Sequence, residues 1–143
     1  MSNKLVKNEN NKDLELEKNQ ELEQAIKELQ EHPTEELLAH TLTVLRRRMK
    51  EEGHFIVAVE AGEGEQISMK TVNTPDGGVW FAAFTSFDEQ LKGDMGVMSA
   101  FTAPIHQLFQ MTLQAPEVQG LIVNPWNRTL MLDKNLIHIT IGA

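Results

Sequence analysis

The chain has 143 residues, 41% hydrophobic and 24% charged, with no cysteine and a formal net charge of −8. This length suits one domain with a sizeable core, and the balance is that of an ordinary globular protein. The lack of thiols excludes disulfides, thiol catalysis and thiolate metal sites, while the negative charge opposes phosphate backbones and anionic lipid.

The charge is unevenly placed. Nine of the 13 Lys and Arg residues precede Gly53, and beyond it four basic residues stand against nine Asp and Glu. No basic patch is expected there, and so no nucleic-acid partner. No apolar run approaches the ~20 residues that span a bilayer, and no membrane partner is expected. The polar start, MSNKLVKNENNKDLELEK, lacks the apolar stretch of a secretory signal. The expected compartment is the cytoplasm.

Residues 1–18, rich in Asn, Lys and Glu, predict a disordered tail. Residues 19–53 predict a helical extension. Leu22, Ile26 and Leu29 recur at i, i+4, i+7, which makes one narrow apolar stripe ended by Pro33. In the second helix Thr34 is the expected N-cap, with Glu35 and Glu36 at the positive end. Leu38, Leu42, Leu45 and Met49 share a face. Arg46, Arg47, Arg48 and Lys50 complement the negative end, and Gly53 supplies the stop.

Residues 54–143 predict an α+β domain. HFIVAVE (54–60) is a short β-branched strand, and 66–72 alternates with the period of two that a half-buried strand needs. Pro75-Asp76-Gly77 predicts a type I turn and a hairpin. VWFAAFT (79–85) is apolar on both faces and suits a central strand. Ser86 to Glu89 has capping-box spacing and opens a short helix ending near Gly93. A strand over 97–102 and a helix with Pro104 in its first turn follow, lined by Ile105, Leu108, Phe109 and Thr112 and closed by Pro116. A hairpin spans 118–133. Asp133 then caps a last helix, or 136–141 is a strand; the pattern fits either. The fold class is α+β: a single mixed β-sheet of about five to six strands with helices packed mainly on one face, preceded by the helical extension.

The hairpin turn Asn124-Pro125-Trp126-Asn127 satisfies the turn rules position by position. Proline presets the second residue, and Asn127 is suited to a left-handed fourth position. VQGLIVNPWNRTLMLD (118–133) resembles the N-terminal domain of the SseB-like family, named for enhanced serine sensitivity. VWFAAFTSFDEQL (79–91) extends the resemblance: a strand ending in a Phe-Thr pair runs into a short acidic helix. The likeness covers Gly53 to the C-terminus. It implies a bacterial α+β domain and supplies no catalytic residues.

The residues themselves point to little chemistry. His32, His40, His54, His106 and His138 show no metal-ligand spacing, so no metal and no cofactor is expected. His106, His138 and Asp133 are the one set the chain could bring together, and surface histidines are the simpler reading. Ser86 is explained as a cap, and no serine lies in a nucleophile elbow. AGEGE (61–65) lacks the lysine of a nucleotide loop, and its glutamates repel phosphate. The run Arg46-Arg47-Arg48-Met49-Lys50 has no aromatic neighbours for stacking on nucleic acid. Trp80 is expected in the core. Trp126, at a turn tip, is the residue that turn chemistry does not require, and tryptophan is a frequent binding anchor. Met95 and Met98 lie in a small-residue segment beside which an adaptable surface can form.

These features predict a non-enzymatic binding or adaptor domain with a protein partner. Its surface is built from Trp126, Asn124, Asn127, Met95 and Met98. Two alternatives stand beside it. One is a sensor or enzyme for a small, amino-acid-related molecule. The other is self-association, a homodimer formed through the N-terminal helices.

Overall fold

The computed structural model describes residues 18–61, 67–86, 89–90 and 99–142, without the side chains of 60, 61, 67 and 68. The expected tail of 1–18 up to residue 17, positions 62–65 of the AGEGE turn, the helix end near Gly93, and Met95 and Met98 lie outside the described residues.

Helix α1 (Gln20–Glu31) is followed by α2 (Glu35–Lys50). Thr34 caps α2 as its residue type predicts: its Oγ1 accepts the Leu37 N–H at 3.1 Å. At the other end the Gly53 N–H donates to the Arg48 carbonyl and the Glu52 N–H to that of Met49. This is a Schellman motif, and its left-handed position belongs to Glu52 (φ +62), not to Gly53. Gly53 is needed for space, since a Cβ there would lie 2.7 Å from both the Arg48 carbonyl oxygen and its guanidinium.

The strands are β1 (His54–Ala61), β2 (Ile67–Met69), β3 (Thr71–Asn73), β4 (Val79–Ala83), β5 (Ser99–Pro104), β6 (Gly120–Val123) and β7 (Leu130–Asp133). They form two ladders, β2-β1-β5 and β3-β4-β6-β7. All pairs are antiparallel except β4–β6, so the arrangement is mixed. The α+β class and the mixed pairing are those expected from the sequence. The single uninterrupted sheet is replaced by two ladders joined at one bridge, where Ile56 and Phe84 exchange backbone bonds of 2.8 Å. The alternating segment 66–72 explains the division. It breaks at Lys70, which donates to Ala58 and accepts from Ala82. One half thus follows β1 and the other β4.

Helix α3 (Ile105–Gln114) starts directly after β5, with Pro104 as its N-cap rather than inside its first turn. The segment 136–141 is helical, within α4 (Lys134–Ile141). Asp133 settles the ambiguity by accepting the Leu136 N–H at 2.8 Å.

One core unites these parts. Leu22, Ala25 and Ile26 of α1 and Leu42, Val44, Leu45 and Met49 of α2 cluster with Phe55, Val57, Ala83, Leu121, Val123 and Leu132 of the strands. Ile105, Leu108 and Phe109 of α3 and Ile137 of α4 complete it. Among the described residues, helices α1 to α4 thus lie on one face of the strands. The opposite face carries Ile56, Ala58, Trp80, Ala82, Phe84 and Ile122. The helices set apart as an extension therefore share the strands' core. Of their α1 stripe, Leu22 and Ile26 are buried in that core and Leu29 packs against it, partly buried.

Ile26 is fully buried in that shared core. Ile26→Ala should lower unfolding stability by about 2–4 kcal/mol, read by urea denaturation. A loss near zero would mean that α1 is peripheral.

Candidate functional site

The turn after β6 is built around Asn124, which has φ +54 and is fully buried. Its Oδ1 accepts the Thr85 N–H at 2.9 Å, and its Nδ2 donates to the Thr85 Oγ1 at 3.0 Å. The Asn124 N–H continues the β4–β6 ladder by donating to Ala83 at 2.8 Å. Thr129 returns a hydroxyl bond to the Asn124 carbonyl at 2.6 Å. The left-handed residues of the loop are Asn124 and Arg128, so the expectation placed on Asn127 is corrected. A short amide side chain can occupy that conformation while bonding locally, which suits Asn124 to the place. Gly120, at the start of β6, is equally constrained. A Cβ there would lie 2.1 Å from the Leu132 carbonyl oxygen and 2.8 Å from the Trp80 ring.

Thr85 carries the network inward. Its hydroxyl donates to the buried Glu23 carboxylate, and its carbonyl accepts from Asn19 Nδ2 at 3.0 Å. Asn19 Nδ2 also reaches the His54 carbonyl at 2.9 Å, and Asn19 Oδ1 accepts from Arg48 Nε at 3.0 Å. Residues from both N-terminal helices, β1, the end of β4 and the hairpin thus meet in one buried polar cluster. A second joint lies nearer the surface: Asn127 Nδ2 donates to Glu89 Oε1 at 3.2 Å. Ser86 Oγ accepts the Glu89 N–H at 3.2 Å, the cap its position predicts.

Trp126 projects from this anchored turn and is 40% exposed, with Asn127 exposed beside it. Met131, on β7 of the same hairpin, is exposed as well. Asn124 faces inward and offers no surface. Trp80 is buried.

The basic run serves three separate contacts. Arg46 donates to the carbonyls of Ile139 and Thr140 at the end of α4. Arg47 pairs with Glu21 of α1 at 3.0 Å. Arg48 is buried on Asn19. All three thus bind elements other than their own helix end.

A groove of about 570 Å³ opens between the end of α2, the start of β1 and the first turns of α3. Glu52, His54, His106 and Gln110 line it over a floor that includes Met49 and Pro104. The sequence gives no sign of this meeting, because it depends on α2 and α3 flanking β1. Asp133 is held as a helix cap, and His106 and His138 are exposed. Among the described residues no three His, Asp or Glu groups converge as metal ligands. No helix among them is long and apolar enough to cross a membrane.

Mixed strands with helices on one face, closed by a hairpin whose Asn bonds a Phe-Thr strand end, define an α+β domain of a recognisable kind. A family model, the SseB protein N-terminal domain, matches residues 22–138, and the chain belongs to that family. The match begins inside α1, so both helices fall within the family domain. No curated protein and no solved structure matches the chain.

Asn124→Ala removes the acceptor of a buried N–H and the side chain that supports a left-handed backbone. It should cost about 2–4 kcal/mol in chemical denaturation. A loss within about 0.5 kcal/mol, typical of a surface site, would show that the cluster does not hold the turn.

Proposed function

We propose that this SseB-family domain is a non-enzymatic, cytoplasmic binding module whose protein partner engages the hairpin tip. The observation that carries this reading is Trp126, a large aromatic side chain exposed on a turn whose backbone is fixed from beneath. Such a group contributes apolar contact area with little further loss of conformational freedom on binding. Asn127 adds an exposed polar group next to it in the chain, and Met131 of the same hairpin an exposed, adaptable apolar one. Met95 and Met98 belong to the proposed surface by sequence alone.

Trp126→Ala should weaken partner capture by roughly 30-fold or more, the loss of a hot-spot residue worth ~2 kcal/mol, while leaving the unfolding midpoint unchanged. Pull-down from native lysate with the folded variant as control provides the measurement. Equal capture by both proteins would remove Trp126 from the interface.

The groove favours a second reading, a sensor or enzyme for a small polar molecule. Its volume is within the usual range for ligand sites, and a carboxylate and two imidazoles line it. Glu52 also holds a left-handed backbone where glycine is the usual residue, and strain of that kind gathers at functional sites. This reading predicts that some member of a panel of amino acids and divalent cations raises the melting temperature, and that Glu52→Gln with His106→Ala abolishes the rise. A panel with no shift would eliminate it.

A further inference from the structure

Glu52 breaks two local rules at once. It holds a left-handed backbone (φ +62), which strains a long side chain, and it places a carboxylate at the negative end of α2. Its neighbour Glu51 stands at the same helix end but faces Arg48 at 3.7 Å. Glu52 has no such partner: among the described residues no basic side chain pairs with it. Two local costs with no contact in the chain to offset them are what a functional position shows.

The groove beside Glu52 supplies the setting for such a contact. Met49, buried, and Pro104, half-buried, give it an apolar floor. His106, Gln107 and Gln110 of α3 are spaced i, i+3 and i+4, so they share one side of that helix. The lining holds one carboxylate and no Lys or Arg. The Arg48 guanidinium comes close to Gly53, but it is engaged by Asn19 and Glu51. With its imidazoles neutral, the groove carries the charge of Glu52, and the −8 of the whole chain acts in the same direction.

Glu52, His54 and His106 do not converge on one point as metal ligands. Polar groups spread along about 570 Å³, above an apolar floor, suit a molecule of several atoms better than a bare ion.

We propose that the groove binds a small organic ammonium ion with Glu52 as its counter-ion. Met49 and Pro104 lie under the ligand's carbon chain, and the amides of Gln107 and Gln110 stand beside it. This rests on the reading of the groove as a small-molecule site and names the class of ligand. An ammonium group brings three N–H donors to a carboxylate that has no other partner. The carbon chain keeps water from one side of the pair, which makes it stronger than an ion pair in open solvent. An anionic ligand would meet Glu52 with the same sign. An inorganic cation would leave the apolar floor unused.

The probe is n-butylammonium chloride, compared with sodium butyrate and magnesium chloride at constant ionic strength. Binding to the full chain is followed by proton–nitrogen correlation NMR, which also reports whether each variant is folded. Butylammonium should shift the signals of Glu52, Gly53, His54 and Gln107 saturably, in the millimolar range expected for so few atoms. Glu52→Gln keeps the shape and should weaken binding roughly tenfold or more. Glu117→Gln makes the same change of net charge at an exposed site past the other end of α3 and should leave binding unchanged. Equal binding by folded Glu52→Gln would overturn the proposal. So would a preference for butyrate or magnesium, which would keep the groove as a ligand site of another class. No saturable shift from any of the three would overturn it too, and the wider melting-temperature panel then decides the groove reading on its own.

Discussion

Every polar group of Thr85 is bonded to a different part of the chain from its own strand. Its N–H reaches Asn124, its carbonyl Asn19, and its hydroxyl joins Glu23 and Asn124. The residue is fully buried, so each of these groups would carry a desolvation cost of ~1–3 kcal/mol if left unmet. Much of the architecture follows from meeting that demand. The amide of Asn124 must sit at the end of β6, which fixes the turn. The amide of Asn19 must sit at the start of α1, which draws the helix pair over the strands. Arg48 then completes Asn19 and is itself enclosed by the Schellman turn at Glu52 and Gly53.

This arrangement separates shape from function within one short hairpin. Asn124 has left the surface and acts as the joint between two sequence signatures, the Phe-Thr strand end and the Asn-Pro turn. Trp126, two residues on, is displayed by that joint without being needed for it. A rigid support beneath an exposed aromatic favours binding, because little order has to be imposed when a partner arrives. The groove, which like the cluster lies at the start of β1, is organised differently. Its polar side chains come from a helix end, a strand start and a helix start, and its one strained residue is Glu52.

What could be read from the sequence follows from how local each feature is. Helix α2 was legible from Thr34 to Lys50 because cap, stripe and terminal charges are all local signals. Strand β4 was legible because a strand buried on both faces is apolar throughout, and it lies between β3 and β6. The broken strand at Lys70 was not, since the break is imposed by two ladders competing for one segment. Helix α4 was undecided on pattern alone, and the Asp133 cap decided it. The helices of 19–53 looked like an extension because the apolar stripe of α1 is narrow. That stripe is enough when Asn19 and Glu23 add buried polar contacts that no periodicity reveals. Trp126 was found by elimination from turn chemistry. The meeting of His54 with His106 had no local signal at all.

If the Thr85 cluster binds the N-terminal helices to the hairpin, Asn19 and Asn124 must be energetically coupled, although each bonds Thr85 rather than the other. A double-mutant cycle with Asn19→Ala and Asn124→Ala, followed by urea denaturation, tests this directly. Loss of one amide should free Thr85 to relax and reduce the penalty for losing the second, giving a coupling of about 1 kcal/mol or more. Strictly additive losses, within the ~0.3–0.5 kcal/mol seen for independent sites, would contradict the account.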